Sequence, residues 1–254
     1  MVDPPAQTIL ITGASAGLGA EMARQFAALG YDLALCARRL PKLVELKETI
    51  LRAHPDRRVE VRCLDVTDDE QVFEVFRGFR DDFGTLERVV VNAGLGKGQP
   101  LGTGRYDANR QTAMTNFIGA LAQTEAAMET FRAQGHGHLV MISSMSAMRG
   151  MPRNMTTYAA TKAGVAHLAE GIRAEFHDEP IDVTVLYPGF IASEMNDRDR
   201  GSTPPLMAST ARGVRSMVAA IEKRVDSACV PRLPWAPLSV VMKHAPLGVY
   251  RRLV

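Results

Sequence analysis

Short apolar runs alternate along the chain with longer stretches in which apolar positions recur every three or four residues. Runs of roughly four to eight apolar or β-branched residues predict buried strands, whereas the helical period predicts amphipathic helices. The predicted strands cover residues 8–12, 32–37, 59–64, 88–91, 138–143, 182–186 and 228–230. The predicted helices cover residues 20–29, 41–51, 69–83, 107–132, 156–176 and 207–225.

This alternation predicts the fold class. Strands that are apolar on both faces, each followed by a helix, are typical of a parallel sheet covered by helices on both sides. Right-handed crossovers then give a doubly wound α/β fold. No repeat or Pro/Gly-rich linker divides the sequence, so we expect a single domain over residues 1–254. Residues 196–205 are polar and rich in Gly, Ser and Pro, which predicts a loop over a binding site.

Composition excludes several classes of protein. The chain has 254 residues, 46% of them hydrophobic, and a formal net charge of +2, so it lacks the basic footprint of a nucleic-acid binder. No apolar run is long enough to span a bilayer, and the N-terminus lacks the pattern of a signal peptide. Its three widely spaced cysteines are expected to be reduced thiols, which predicts a cytoplasmic protein.

A glycine-rich turn follows the first predicted strand and opens the first helix. Glycines let the backbone approach a pyrophosphate, and the helix N-terminus offers it free N–H groups. The alternative is an ordinary strand–helix turn, which the strand and helix on either side make less favoured. The candidate cofactor-binding residues here are Gly13, Ser15, Ala16, Gly17, Leu18 and Gly19.

The end of the second predicted strand bears on the choice of cofactor. An acidic residue there would accept hydrogen bonds from the adenosine ribose and repel a 2′-phosphate. The sequence instead places Arg38 and Arg39 after the strand, and their guanidinium groups suit a phosphate. We therefore predict NADP(H) rather than NAD(H), with Arg38 contacting the 2′-phosphate. Arg39 is equally consistent with a phosphate contact and with the start of a solvated loop.

Two further strand ends carry candidate contacts to the cofactor. Asp65 and Val66 follow the third strand, where an adenine edge would lie, although Asp65 could instead cap the next helix. Asn92, Ala93 and Gly94 follow the fourth strand, and Asn92 could be either a ligand contact or a turn residue. Their place at the carboxyl ends of strands favours ligand contact.

Tyr158 and Lys162 lie four residues apart in a predicted helix, so both side chains can point into one site. Lowering the pKa of a phenol by about three units needs roughly 4 kcal/mol of preferential stabilisation of the phenolate. A neighbouring ammonium is one source of it. By itself this pair is equally typical of a half-buried helix with one wet edge.

Together these motifs resemble the short-chain dehydrogenase/reductase family over nearly the whole chain. The matching residues are Thr12-Gly13-x-x-x-Gly17-x-Gly19, Asn92-Ala93-Gly94, Asn116, Ser143-Ser144, Tyr158-x-x-x-Lys162 and Pro188-Gly189. The resemblance implies a seven-stranded Rossmann-like fold and hydride transfer between a nicotinamide cofactor and a carbonyl/alcohol pair. An NADP-preferring ketone or aldehyde reductase is the favoured function. The alternatives are an NAD-dependent alcohol dehydrogenase and a non-catalytic dinucleotide-sensing protein.

The resemblance also implies a role for each matched residue. Tyr158 would be the general acid, Ser144 would hydrogen-bond the substrate oxygen, and Lys162 would lower the pKa of Tyr158 and hold the nicotinamide ribose. Asn116 would order a water that links Lys162 to solvent. The residues that would flank the nicotinamide are Pro188, Gly189, Ile191 and Ser193.

The catalytic serine departs from the family pattern. Ser144 is one residue farther from Tyr158 than is usual, and Ser146 is closer than usual. An extra residue in the loop of residues 149–157 would keep Ser144 catalytic, with Ser146 as the alternative.

The remaining sequence points to a hydrophobic carbonyl or alcohol substrate. A substrate loop of about residues 190–207 and a C-terminal extension of about residues 231–254 complete the predicted domain. The apolar pocket candidates are Leu95, Met145, Met148, Met151, Phe190, Met195, Leu206 and Met207.

The C-terminal extension and the long helices suggest surfaces for partners. Residues 236–253 predict an amphipathic helix that lines the substrate entrance, packs on a neighbouring subunit or sits at a membrane interface, the first two together being favoured. By analogy with the family, helices 107–132 and 156–176 would form a homodimer or homotetramer. His136 and His138 are predicted to lie in a turn rather than a metal site, because no third ligand is nearby.

Overall fold

The computed structural model describes residues 7–96, 98–192 and 207–251. All seven strands are parallel and lie in the order β3-β2-β1-β4-β5-β6-β7. Their bounds are Thr8–Thr12 (β1), Asp32–Ala37 (β2), Val59–Cys63 (β3), Arg88–Val91 (β4), Gly137–Ile142 (β5), Ile181–Pro188 (β6) and Ser227–Val230 (β7). The prediction of a doubly wound, seven-stranded parallel sheet is confirmed.

Helices cover both faces of this sheet. The α-helices are Gly17–Ala28 (α1), Leu40–Ala53 (α2), Asp69–Phe83 (α3), Tyr106–Ala113 (α4), Gly119–Gln134 (α5), Thr156–Glu175 (α6), Thr210–Glu222 (α7), Arg232–His244 (α8) and Leu247–Tyr250 (α9). A π-helical turn spans Met114–Ile118, and 3₁₀ turns span Met145–Met148 and Arg153–Met155. In the described parts of the chain, no helix is both long and apolar enough to cross a bilayer.

Two apolar cores lie on opposite faces of the sheet. One includes Phe76 and Phe79 of α3 and Phe131 of α5, all essentially inaccessible to solvent. The other includes Phe26 of α1 and Leu43 of α2, also fully buried. Because strands β1, β2, β4, β5 and β6 contribute side chains to both cores, their sequences are apolar at successive positions, whereas the edge strands β3 and β7 contribute to one core only.

The predicted helix 107–132 is wrong in one respect, since the π-helical turn Met114–Ile118 interrupts it between α4 and α5. The turn contains Asn116, whose side chain bonds to the backbone of Leu95. No glycine or proline lies within residues 114–118, so the sequence carries no local signal for the interruption.

The predicted C-terminal helix 236–253 is also wrong in its extent. Helix α8 spans Arg232–His244 with a kink at Leu233 (φ −106°, ψ 134°), and it breaks after His244, where Ala245 adopts an extended conformation (ψ 138°). Proline disfavours the α conformation of the residue before it, so Pro246 ends α8, and α9 begins at Leu247. The bounds of the other predicted elements differ from the observed ones by up to three residues.

The strand order places a crevice at one edge of the sheet. After β1 the chain builds β2 and β3 on one side, then returns to place β4 on the other side of β1. Ligands of open α/β sheets bind beyond the carboxyl ends of the strands at such a reversal. The glycine turn after β1 and residues 92–94 after β4 lie at this crevice.

A buried polar network crosses the amino ends of the central strands. The Arg88 guanidinium donates to His138 Nδ1 (3.0 Å) and to the Glu222 carboxylate (2.6 Å). His138 Nε2 lies 2.9 Å from Thr184 Oγ1, which donates to the carbonyl of Val225. Arg88 and His138 are 4% and 0% exposed, so the network joins β4, β5, β6 and α7 within the protein interior.

Candidate active site

The glycine turn between β1 and α1 leaves no room for side chains at two of its positions. A Cβ on Gly13 would lie 2.8 Å from the Ala93 Cα, and one on Gly19 would lie 2.5 Å from the Gly13 carbonyl oxygen. Gly13 and Gly17 also have positive φ angles of 65° and 56°. The spacing of these glycines is therefore required by the backbone path.

The N-terminus of α1 is suited to an anion. Ala16, the N-cap residue, has no side chain to satisfy the first N–H groups, and no acidic residue lies in the first turn. Those N–H groups and the positive end of the helix dipole therefore face the crevice without a competing carboxylate. The glycine turn and this helix end fit a dinucleotide pyrophosphate.

Hydrogen bonds between Thr12 and Asn92 hold the glycine turn beside the end of β4. Thr12 Oγ1 accepts hydrogen bonds from the backbone N–H groups of Asn92 (3.0 Å) and Ala93 (3.1 Å). The Asn92 side-chain amide donates to the Thr12 carbonyl at 2.8 Å. Asn92 thus holds β1 and β4 together, and any contact with a ligand would be left to its Oδ1 atom. Thr12 was not predicted as a site residue, although it begins the glycine motif.

The arginines after β2 lie beside the turn. Arg39 Nε donates to the Ser15 hydroxyl at 3.2 Å, which joins the predicted phosphate residue to the predicted pyrophosphate turn. Arg38 lies 4.0 Å from the Asp65 carboxylate, and both side chains are about half exposed (57% and 43%). An exposed ion pair at this distance is weak, so an anionic ligand can compete for Arg38.

Asp65 and Val66 have structural contacts of their own. Asp65 Oδ1 accepts from the backbone and the hydroxyl of Thr67 (3.0 and 2.9 Å), and the Val66 side chain is buried in the core. The N-cap of α3 is Asp68, which accepts from Gln71 N, so the alternative that Asp65 caps this helix is wrong. Contact of Asp65 with the adenine edge stays a prediction.

Ser144 and Tyr158 meet at the carboxyl end of β5. Ser144 is the second residue after β5, and Tyr158 lies in the first turn of α6. Burial raises the pKa of the Tyr158 phenol above its ordinary value, and the nearby Ser144 hydroxyl opposes this only in part. Tyr158 therefore carries its proton at neutral pH.

Lys162 lies one helical turn beyond Tyr158 and is 5% exposed. Its Nζ donates to the Ile142 carbonyl at 2.8 Å and lies 6.0 Å from the centre of the Tyr158 ring. Burial lowers the pKa of Lys162 to about 8. Burial is the largest influence on the pKa of Tyr158 and raises it, so the role of Lys162 in lowering that pKa stays a prediction.

The structure distinguishes the three serines after β5. Ser143 Oγ donates to the Lys162 carbonyl at 2.7 Å, which fixes the strand end to α6. Ser146 is buried, and its hydroxyl has no hydrogen-bond partner within the described residues. Of the three, Ser144 is the one that acts on the pKa of Tyr158, which favours Ser144 over Ser146. An extra residue in the loop of residues 149–157 stays a prediction.

Asn116 is buried behind Lys162. Its Oδ1 accepts from Leu95 N (2.6 Å) and its Nδ2 donates to Leu95 O (2.9 Å). This pair of bonds fixes the segment that follows Gly94. The Asn116 side chain already bonds to Leu95 through both its oxygen and its nitrogen. Its role in ordering a water therefore stays a prediction, which needs the second lone pair of Oδ1 or the backbone of the π-helical turn.

The end of β6 is covered by the C-terminal extension. Gly189 packs so closely on Trp235 that a Cβ there would lie 2.0 Å from the indole ring. Phe190 meets the same indole edge to face, with 5.4 Å between ring centres. Pro188 and Ile191 are buried at this strand end, whereas the predicted contact Ser193 lies outside the described residues, as do Met195 and Leu206.

Arg149 ties the extension to the loop after Ser144, a feature that sequence reasoning missed. Its guanidinium donates to the carbonyls of Met242 (3.2 Å) and Ala245 at the carboxyl end of α8. It also lies 4.8 Å from the centre of the Tyr250 ring, and Tyr250 OH donates to the Gly150 carbonyl at 3.1 Å. Contacts between residues about 100 positions apart leave no local signal in the sequence.

The two histidines near β5 have separate partners. His136 Nε2 lies 3.1 Å from the Glu87 carboxylate, and His138 belongs to the buried network of Arg88. Among the residues that the structure describes, no group of three His, Cys, Asp or Glu side chains could hold a metal ion.

Comparison with known proteins gives the family. A family model described as short chain dehydrogenase matches residues 7–203. An uncharacterized oxidoreductase of Mycobacterium tuberculosis is 50% identical over 246 residues, which cover 97% of this chain and 96% of that protein. The chain therefore belongs to the short-chain dehydrogenase family.

Solved structures agree with this assignment. A short-chain dehydrogenase from Sphingobium yanoikuyae in complex with NADPH has a TM-score of 0.83 at 26% identity, over 96% of this chain and 95% of that one. A family member from Burkholderia phymatum in complex with NAD shares the fold, with a TM-score of 0.84 at 19% identity over 98% and 96% of the two chains. The protein is an oxidoreductase of this family, and its glycine turn fits a nicotinamide dinucleotide.

Proposed function

We propose that the protein is an NADP(H)-dependent reductase of ketones or aldehydes with a hydrophobic substrate. The observation that carries this proposal is the meeting of Ser144 and Tyr158 at the carboxyl edge of the sheet, with buried Lys162 beside them. A protein that only binds dinucleotides has no use for a buried phenol in this position. The same geometry would serve an alcohol dehydrogenase, so the direction of reaction is argued separately.

Each of the three side chains has a distinct task. Tyr158 OH donates its proton to the carbonyl oxygen, and Ser144 Oγ hydrogen-bonds that oxygen as negative charge develops on it. The ammonium of Lys162, whose Nζ lies 6.0 Å from the centre of the Tyr158 ring, stabilises the resulting phenolate. A bound nicotinamide supplies the hydride.

The protonation of Tyr158 favours reduction at neutral pH. Burial raises the pKa of the phenol, so the group is an acid that holds its proton until a carbonyl oxygen accepts it. Oxidation of an alcohol would need the phenolate, which this environment disfavours. We therefore place carbonyl reduction ahead of alcohol oxidation.

The choice of NADP(H) rests on Arg38 and Arg39. The last residue of β2, Ala37, carries no carboxylate. Arg38 and Arg39 follow it, and the Arg39 guanidinium bonds to Ser15 in the glycine turn. A 2′-phosphate would find two cations there, one of them bonded to Ser15 and the other only loosely paired with Asp65. The relative that was solved with NADPH is consistent with this choice, and the one solved with NAD shows that the fold alone does not decide it.

The hydrophobic substrate is inferred from apolar side chains in the segments that follow β4, β5 and β6. Met145 is buried directly after Ser144, and Phe190, with Trp235 against it, lies at the end of β6. Leu95, Met148, Met151 and Met207 are half-buried in these segments. Methionines and aromatic rings form adaptable apolar walls. A homodimer or homotetramer stays a prediction by analogy with the family.

The test compares wild type with Tyr158→Phe in the oxidation of NADPH by a panel of lipophilic ketones and aldehydes. Loss of a general acid costs about 10²–10⁴ in rate, so kcat/KM should fall by at least about a hundredfold while the Kd for NADPH stays within about threefold. Tyr106→Phe, at a side chain that is 76% exposed, is the matched control and should keep wild-type rates. Unchanged turnover in Tyr158→Phe would contradict the assigned acid.

A further inference from the structure

The C-terminal extension exposes an unusual amount of apolar surface. Five of the twelve large hydrophobic side chains that are exposed in the described residues lie between positions 233 and 249. They are Leu233 (73%), Val240 (59%), Val241 (49%), Leu247 (63%) and Val249 (50%). We call the surface formed by these five side chains the C-terminal face. An apolar concentration of this kind marks an interaction site more often than isolated exposed residues do.

Helix α8 separates an inner from an outer side. Trp235, Leu238, Ser239 and Met242, at helical spacing, are buried or half-buried against the rest of the protein. Pro237, Val240, Val241 and His244, at the same spacing, are exposed on the opposite side. The outer side is thus apolar although the inner side already packs on the domain, so the apolar character of the outer side is not explained by folding.

The charge of this segment has a single sign. From Ser227 to Val254 the sequence contains no Asp or Glu, whereas it contains Arg232, Lys243, Arg251 and Arg252. Arg232, Lys243 and Arg251 are exposed, and none of the ion pairs within residues 7–96, 98–192 and 207–251 involves them. An apolar helix side flanked by unpaired cations is the pattern of a helix that lies in the interface of an anionic bilayer.

We propose that the C-terminal face docks on the surface of an anionic lipid bilayer, with α8 in the plane of the interface. A second copy of the chain fits this face less well, because a two-fold interface would bring Lys243 and Arg251 towards the same cations of the other copy. An acidic lipid surface complements the same charges. Helix α8 spans 13 residues with a kink at Leu233, so it can lie in the interface but is too short to span a membrane.

Docking in this orientation would connect the membrane with the proposed active site. Trp235, on the inner side of α8, packs on Gly189 and Phe190 at the end of β6, and Phe190 is itself 37% exposed. Helix α8 therefore lies between the C-terminal face and the segment expected to border the substrate. If the proposed function holds, its hydrophobic carbonyl substrate is one that dissolves in lipid.

Vesicle flotation of the full chain tests the docking without any assay of activity. We expect the protein to float with vesicles of equal parts phosphatidylglycerol and phosphatidylcholine and to remain in solution with phosphatidylcholine alone. Lys243→Gln with Arg251→Gln should weaken the partition by roughly 25-fold, since each basic side chain near such a surface contributes roughly fivefold. Val240→Ser with Val241→Ser should weaken it by at least about tenfold.

Matched variants elsewhere on the surface control for general loss of charge or apolar area. Arg52→Gln with Lys223→Gln and Leu29→Ser with Val44→Ser change exposed residues of the same types and should leave the partition unchanged. Absence of flotation with anionic vesicles overturns the proposal, as does equal loss in the control variants. It is also overturned if Val240→Ser with Val241→Ser changes the sedimentation coefficient but not the lipid partition, because the face would then join subunits. Unfolding curves confirm that each variant is folded.

Discussion

Arg38 and Arg39 bear on the choice between NADP(H) and NAD(H), which the shared fold leaves open. The two cations stand where the sheet brings β2 to the crevice, and Arg39 is already bonded to Ser15 in the glycine turn. The loose pair between Arg38 and Asp65, at 4.0 Å, contributes little by itself and leaves the guanidinium available. The charges around the adenosine end thus favour the cofactor that carries an additional phosphate.

Replacement of Arg38 by Ala should therefore discriminate between the two cofactors. We expect the Kd for NADPH to rise by roughly 10- to 100-fold, since a hydrogen bond to a charged group is worth about 1.5–3 kcal/mol, while the Kd for NADH changes less than about threefold. Fluorescence titration of each cofactor measures both constants. Arg52→Ala, at an exposed arginine on α2, should change neither. Equal weakening of both cofactors would exclude a phosphate contact by Arg38.

The sequence predicts which residues lie together better than it predicts their pKa values. The i, i+4 spacing predicted that Tyr158 and Lys162 share a site, and the structure places them 6.0 Å apart. The resemblance implies that Lys162 lowers the pKa of Tyr158, whereas burial, which depends on elements distant in sequence, raises it. The sequence leaves open whether Ser144 or Ser146 is the catalytic serine, and three-dimensional contacts are needed to favour Ser144.

Among the elements, those set by local signals were predicted and those set by distant contacts were not. Strands β1, β2 and β4 and helix α3 have their predicted bounds, because apolar period and capping residues lie within the segments themselves. The π-helical turn that carries Asn116 has no such signal and accompanies the bonds from Asn116 to Leu95. The break between α8 and α9 has a local cause in Pro246 that the amphipathic pattern concealed.

The contact of Arg149 with the end of α8 can be tested through the stability of that helix. The guanidinium satisfies carbonyl groups at the helix C-terminus and stacks on Tyr250, so it holds the C-terminal extension against the loop after Ser144. Arg149→Ala should remove about 2 kcal/mol from the local stability of α8 and α9. Amide hydrogen exchange in these helices should accelerate by roughly 30-fold.

The control for this prediction is Arg77→Ala, at an exposed arginine on α3. It should leave exchange in α8 and α9 unchanged. Unaltered protection of these two helices in Arg149→Ala would show that the guanidinium does not hold them in place.

At the scale of the whole molecule, the two ends of the sheet have different chemistry. The carboxyl ends of the strands form the crevice with its glycine turn and its buried Tyr158, and the amino ends are joined by the network of Arg88, His138, Thr184 and Glu222. Burial, followed by the charge of Arg88, lowers the pKa of His138 to about 3. The network therefore depends on a histidine that stays neutral.

This network predicts a loss of stability in acid. His138 binds a proton near pH 6.5 in the unfolded chain but only near pH 3 in the folded one, so the unfolded state gains protons first as pH falls below 6.5. At a pH two units below 6.5, the free energy of unfolding should be lower by about 2.7 kcal/mol from this group alone. Urea unfolding at several pH values measures the effect.

His138→Gln is the informative variant for this prediction, because its amide keeps one acceptor for Arg88 and one donor for Thr184 without a titrating group. The difference in stability between wild type and His138→Gln should grow as pH falls from 6.5 to 4.5, in favour of the variant. Exposed His177→Gln should instead follow the wild-type curve. Parallel curves for wild type and His138→Gln would mean that His138 does not control the acid response.

Transfer of a labelled hydride tests the central claim most directly. The enzyme is supplied with a lipophilic ketone that it reduces and with NADPH deuterated at C4, on one face of the ring and then on the other. Deuterium NMR of the product alcohol then locates the label. The account predicts that deuterium from one of the two labelled cofactors appears at the carbinol carbon, and that Tyr158→Phe suppresses this product. Reduction that leaves the carbinol carbon without deuterium from either cofactor would contradict it.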